Sequence, residues 1–298
     1  METLLKFYHK KKAMSKNNFI WIVSFVVCAL VLFSCQPQGD FYKKEFSKEE
    51  EKELADKFIT GLGNYYQGSV GEQFLLEEAA EYNDEHPEYW RERGIPYLKR
   101  GIASGYMPNY EKCVLYDSLG WQGWRGYCTL YFYRDYKRAL KDFNELDVRT
   151  PNFVDHPQGT SIDYMRGICY LQMEEPQKAL EYFDKHLAAQ KKDIGYKYVY
   201  AVTFVLKGMS HIKLNQMEEA QKAFELGVQY NEKNADLEYQ LAKILFQKEA
   251  YQESLKWIEK AKDSFNEGFY NYRPYVEEFY QVYLPDIEEL EKLVVSNI

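Results

Sequence analysis

Five histidines and five cysteines are the residues of this chain that could hold a metal, attack a carbonyl or exchange thiols. Their spacing favours none of these. His9, His86, His156, His186 and His211 form no pair at zinc-ligand spacing, and the chain has no Gly-rich phosphate loop and no Ser elbow. His156 follows Asp155 between two stretches of helical pattern, where a solvated turn explains the pair better than a metal site does. His211 falls where the preceding stretch has Tyr170, the place of a packing residue. Carboxylate runs such as Glu288-Glu289-Leu290-Glu291 have the pattern of solvated helix faces. The sequence therefore predicts no enzyme and no cofactor. Cys113, Cys128 and Cys169 sit among apolar residues in helical patterns and read as buried core thiols.

Cys35 is different. It ends an apolar run, Phe19 to Phe33, that is fifteen residues long and follows a lysine-rich stretch. A membrane-spanning helix needs about 20 apolar residues, so the run reads as a cleaved leader rather than a span. Leu32-Phe33-Ser34-Cys35 resembles a bacterial lipobox, although Phe33 is bulkier than the usual residue there. The resemblance implies that the Cys35 thiol is diacylated, that the Ser34–Cys35 bond is cut, and that residues 1–34 are lost. Cys28 competes for this role, but the β-branched Val27 before it is unfavourable. Met14 offers a second start with its own short basic region. Removing five Lys and one Glu with the leader leaves 33 basic against 45 acidic residues, a net −12 that argues against nucleic acid as a partner.

Positioning falls to helices. Residues 35–46 are polar, with Pro37 and Gly39, and read as a flexible tether. Ser47 with Glu50, and Ser69 with Glu72, are capping-box signatures that open two amphipathic helices within 47–86, the first running to about Tyr66. No stretch alternates long enough to demand a strand. From Ala201 the sequence repeats without gaps 34 residues later at Ala235, which aligns Gly208 with Ala242, Ala220 with Ser254, Phe224 with Ile258 and Gly227 with Ala261. Small residues recur where the two helices of a hairpin approach closely, and large apolar ones where the next hairpin fills the gap.

These residues resemble the tetratricopeptide repeat, whose first helix carries Gly-x-x-Tyr and whose second carries Ala-x-x-x-Phe. Gly167, Tyr170, Ala179 and Phe183 stand at the family's intervals. Leu130, Tyr136, Ala139, Phe143 and Pro151 supply another unit, in which Tyr127 takes the place of the small residue. Trp90, Gly94 and Tyr97 begin a degenerate one, followed by a seven-residue excess before Tyr110 and Cys113. The resemblance covers residues 87–265, about five hairpins starting near 87, 120, 160, 201 and 235, with surplus residues in the turns around Phe153–Ser161 and Ala188–Tyr198. It implies an all-α fold, a right-handed α-α superhelix of tetratricopeptide-like repeats. Residues 266–298 would close it with C-terminal capping helices, an aromatic helix starting at Pro274 and interrupted at Pro285.

The same resemblance implies that the first helix of each hairpin lines a concave face where partners lie. Intervals of three and four along those helices select Arg91; Trp121, Trp124 and Tyr131; Ser161 and Tyr164; Val205 and Lys213; Asp236, Tyr239 and Lys243. Arg91, Trp121, Trp124, Tyr131, Tyr164, Lys213, Tyr239 and Lys243 form the expected binding groove, rich in the aromatic side chains that make interface hot spots. The same rings could equally pack between hairpins in a chain with 28 tyrosines. Ile95, Cys128, Ile168, Met209 and Lys243 stand where the family's carboxylate clamp has its key Asn, so capture of chaperone tails is not expected. Together the features resemble a tetratricopeptide lipoprotein of a Gram-negative, Bacteroidota-like bacterium, in the outer membrane and facing the periplasm, with inner-membrane attachment the alternative. Such a protein would be a scaffold for a protein or peptide partner, in envelope assembly or in immunity to a secreted toxin. Glycan capture by an outer-membrane lipoprotein is the alternative, which the modest length disfavours.

Overall fold

The structure, a computed structural model, describes residues 45–298 apart from residues 194, 271, 272 and 274 and the side chain of residue 193. The leader, Cys35 and most of the tether lie outside the described residues. The chain divides into two compact units, residues 1–50 and 51–298. In the first, Ser47 and Glu50 exchange the two hydrogen bonds of a capping box, at 2.9 and 3.3 Å. The second contains the repeats.

Thirteen helices are formed among the described residues. Helix α1 (Lys48–Gly61) ends in a 3-10 turn, Leu62–Asn64, and α2 (Val70–Tyr82) is capped by Ser69, as the Ser-Glu spacing predicts. Five hairpins follow: α3 (Pro87–Lys99) with α4 (Ala103–Tyr116), α5 (Ser118–Tyr133) with α6 (Tyr136–Arg149), and α7 (Ile162–Gln172) with α8 (Pro176–Asp193). The remaining two are α9 (Ala201–Lys213) with α10 (Met217–Tyr230) and α11 (Ala235–Gln247) with α12 (Tyr251–Asn266), and α13 (Leu284–Val295) closes the chain. Each helix packs most extensively on its hairpin partner, and first helices also touch first helices across a repeat: α5 with α7, α7 with α9, α9 with α11. This layering produces the all-α repeat solenoid.

The hairpins close through one recurring contact. At Gly126, Gly167 and Gly208 a Cβ would collide with the ring of Phe143, Phe183 and Phe224 respectively, all three fully buried. Only glycine lets the second helix bring a phenyl ring against the first helix's backbone. In α5 the small residue is thus Gly126, not the neighbouring position at Tyr127 that the sequence comparison selects. In the last hairpin Ala242 and Ile258, both fully buried, occupy the corresponding positions.

The five tight turns are alike as well. Each contains one residue in the left-handed region: Gly101, Arg134, Glu174, Asn215 and Glu249, with φ between 54° and 70°. In four of them the next amide reaches back five residues, as in Glu175 N–H to Tyr170 C=O at 2.9 Å and Ala250 N–H to Leu245 C=O at 3.0 Å. This Schellman geometry satisfies carbonyls at the helix end while reversing the chain.

The C-terminal region departs from expectation. No helix occupies the described residues between Asn266 and Leu284, and Pro285 lies in the first turn of α13 rather than interrupting a helix, because proline suits the first helical turn. Helix α13 packs on α12 and, more lightly, on α11, burying Ile287, Leu290 and Val294. Among the described residues it is the one helix after α12. The aromatic segment before it lies along the layer of first helices.

Candidate functional site

Three of the predicted groove residues converge. The Arg91 guanidinium on α3 stands 5.5 Å from the ring centre of Trp121 and 5.3 Å from that of Trp124, both on α5, and the two indoles are 5.9 Å apart. All three side chains are half-buried. The spacing of three residues on α5 puts both indoles on one face. Arg91 also pairs with Glu92, while its Nε is buried without a partner. Beside this cluster opens a pocket of about 340 Å³. Ile95, Leu98, Cys128 and Phe132 give it apolar walls, Arg91, Lys99 and Trp124 line it as well, and Tyr275 from the C-terminal segment adds a further wall.

Two predicted residues are not open to solvent. Tyr164 is fully buried between Phe183 and His186, with ring centres 6.1 and 5.3 Å away, so it is a packing residue of the third hairpin. Tyr131 is 1% exposed because the C-terminal segment covers it. Arg273 stacks on its ring at 4.0 Å and donates to its hydroxyl at 3.1 Å, and Phe279 lies 5.7 Å away. Three further stripe positions are buried: Ser161 caps α7, Val205 is core, and Asp236 accepts from Val282 N–H at 2.6 Å. Lys213 is half-buried and bridges to Glu174 at 2.8 Å. Tyr239 is half-buried against the α11–α13 cluster, and Lys243 is exposed. The inner face is therefore an open aromatic end at α3–α5, a covered middle, and a cationic position near α11.

Sequence reasoning missed the residues that cover the middle. Arg273 donates through Nη1 to Tyr127 Oη at 2.6 Å and through Nε to Glu278 at 2.5 Å. Arg134 lies 4.0 Å over the Phe279 ring and donates to the Glu277 carbonyl at 2.6 Å. Tyr280 packs against both neighbouring core clusters. The density of aromatics around Phe269–Tyr283 was visible, but nothing local says which surface they meet.

Among the described residues, the thiols and His186 are held in their neutral forms by burial. Burial pushes the Cys113 and Cys128 thiols up to about 12, and it raises Cys169 further, so all three stay protonated and unreactive. Burial lowers His186 to about 4, aided by nearby His156, and keeps its ring neutral. His211 accepts or donates one bond with Gln216 at 2.8 Å. Among the described residues no group of three or more His, Cys, Asp or Glu is placed to hold a metal, and no helix is long and apolar enough to cross a membrane.

Repeated glycine–phenylalanine hairpins stacked in this way define an all-α solenoid with a tetratricopeptide-like fold. Residues 205–268, the fourth and fifth hairpins, match the family model described as tetratricopeptide repeat. The fold is shared with Pseudomonas aeruginosa PilF at 18% identity and a TM-score of 0.55, over 73% of this chain and 94% of that one. It is shared with PilW, at 14% identity and a TM-score of 0.54, over 74% and 94%. The Cut9–Hcn1 hetero-tetramer gives a TM-score of 0.57 at 12% identity, over 83% of this chain and 43% of the other. No curated protein matches the chain in sequence.

Proposed function

We propose that the chain is a lipid-anchored scaffold facing the periplasm, attached through Cys35, whose inner face binds an extended segment of another protein without chemistry of its own. The observation that carries the reading is the Arg91–Trp121–Trp124 cluster beside the 340 Å³ pocket. Half-buried indoles under a guanidinium offer large contact area with little entropy to lose, which is what an interface anchor needs. Lys99 and Lys243 add cationic points on the same layer, and the mature chain's acidity leaves nucleic acid outside the reading. PilW is described as a widely conserved type IV pilus biogenesis factor. That shared fold is the reason to put envelope assembly before toxin immunity.

A photo-crosslinking residue at Trp121, compared with one at Lys248, tests the groove in the native cell. A specific protein adduct from position 121 and none from 248 is expected. Equal adducts from both, or a glycan in place of a protein at 121, would refute peptide binding at this face. The anchor has its own test: Cys35→Ala should either release the protein from membranes or leave it unprocessed. A processed Cys35→Ala protein that stays on the membrane would overturn lipidation.

A further inference from the structure

The described residues of 269–282 form no helix and are pinned at both ends to the start of α11. Ala235 N–H donates to the Phe269 carbonyl at 2.9 Å, and Val282 N–H donates to Asp236 Oδ1 at 2.6 Å. Between these pins the described residues Arg273 and Tyr275 reach α5 and α3, Arg273 over the Tyr131 ring and Tyr275 at 4.9 Å from the Lys99 ammonium. Loops with adjacent ends can move without unfolding their base. Gly268 at φ 88° and Tyr280 at φ 60° turn the backbone near the two pins.

The contacts made by this loop are those of a ligand in a site. A cation, Arg273, sits on Tyr131 and bonds both the Tyr127 and Tyr131 hydroxyls, and two aromatics, Tyr275 and Phe279, sit under Lys99 and Arg134. The complementarity alternates: the groove's phenols hold the loop's cation, and the groove's cations cover the loop's rings. The seating is also imperfect. The Arg273–Glu278 pair is buried, at 8% and 3% side-chain exposure, yet Glu278 Oε2 and Arg134 Nη1 are buried with no partner. A buried ion pair with an unsatisfied oxygen costs desolvation that the pairing does not fully return, so the loop is held less tightly than its contact area suggests.

We propose that Arg273 and residues 275–282 are an internal occupant of a peptide site on α3–α5 and the start of α6, and that an external partner takes their place with a segment of the same chemistry. That segment carries Arg or Lys and places aromatic side chains two and six residues after it, the spacing of Arg273, Tyr275 and Phe279. This rests on the scaffold reading and specifies its partner. The resting chain is closed over its own groove; engagement lifts the loop while α13 keeps the end capped.

A labelled synthetic peptide of residues 269–283 provides the probe, titrated against the full chain and against Arg273→Ala/Tyr275→Ala, which weakens the loop at two positions outside the helices. At least tenfold tighter binding to the variant than to wild type is expected, because the internal competitor is weakened. A second reading needs no variant. Amide hydrogen exchange of the wild-type chain at 275–281, slow while Phe279 is covered, should accelerate several-fold under saturating peptide. Equal affinity for both proteins, no binding to the folded variant, or exchange that ignores the peptide would each overturn the proposal. If a partner crosslinks at position 121 in cells while this peptide fails to bind, the internal-occupant proposal falls and the scaffold reading stands.

Discussion

The glycine–phenylalanine contact predicts a specific non-additivity. At Gly167 an added Cβ would lie 2.5 Å from Phe183 Cε1, 2.7 Å from Cδ1 and 3.0 Å from Cζ, and Phe183 is fully buried with no free side to move toward. Overpacking of a closed core costs about 1–3 kcal/mol, and a collision with ring atoms this close belongs at the upper end. Replacing a mid-helix glycine by alanine returns about 1 kcal/mol of helix propensity. Gly167→Ala alone should therefore destabilise by about 2 kcal/mol. Phe183→Ile alone removes ring atoms from a site shaped for them and should cost about 2 kcal/mol.

The double substitution recreates the pair that the last hairpin already uses, Ala242 with Ile258, which packs with both residues fully buried. Its cost should be about 1–2 kcal/mol rather than the sum of about 4, a coupling of roughly 2 kcal/mol between contacting side chains. Urea unfolding of the four proteins, followed by far-UV circular dichroism with a common m-value, measures the cycle. If the two single costs add to within about 0.5 kcal/mol in the double variant, the contact is not what fixes the hairpin spacing.

The turns and the loop pin give two further tests. Glu249 sits at φ 60°, where an L side chain is strained, and its turn is otherwise satisfied by backbone bonds; Glu249→Gly should stabilise the protein by about 0.5–1 kcal/mol in urea unfolding, and a loss of stability would show that its side chain holds the turn. Burial raises the Asp236 carboxyl from 3.8 to about 6, despite its acceptance of Val282 N–H, with Glu278 contributing. Because the folded value exceeds the unfolded one, this contribution to stability is complete below pH 3.8 and is lost as pH rises through about 6. Asp236→Asn keeps the acceptor and removes the charge, so it should gain up to about 3 kcal/mol over wild type above pH 7 and nothing below pH 4. Thermal unfolding across that range checks the sign; a variant less stable than wild type at pH 8 would show that the ionised carboxylate is the stabilising form.

What was legible follows the range of the interaction that decides it. Helices, hairpin phase and the two long connections are set by contacts within one repeat or between neighbours, so a period of 34 and the small–large pairs reveal them. Where the interval changes, the reading slips: Gly126 and Phe143 are 17 residues apart while Gly167 and Phe183 are 16 apart, and that one residue is enough to select Tyr127. The turn conformation is hidden because Arg134, Glu174 and Glu249 occupy left-handed positions that a sequence marks only when it places Gly or Asn there.

The groove shows the limit more sharply. A stripe at intervals of three and four identifies which residues point inward, and Trp121, Trp124 and Tyr131 do share that layer; whether they are open depends on what else reaches it. Arg134 meets Glu277 from 143 positions away, and Arg273 meets Tyr127 from 146. No periodicity encodes such a contact. The same Tyr127 and Tyr131 that would anchor a partner are spent on Arg273, which is why the open indoles at α5 and the covered phenols one and two turns further along the same helix are parts of one surface with different availability. An inner face of this kind is read from the repeats, but its vacancy is set by the chain's own end.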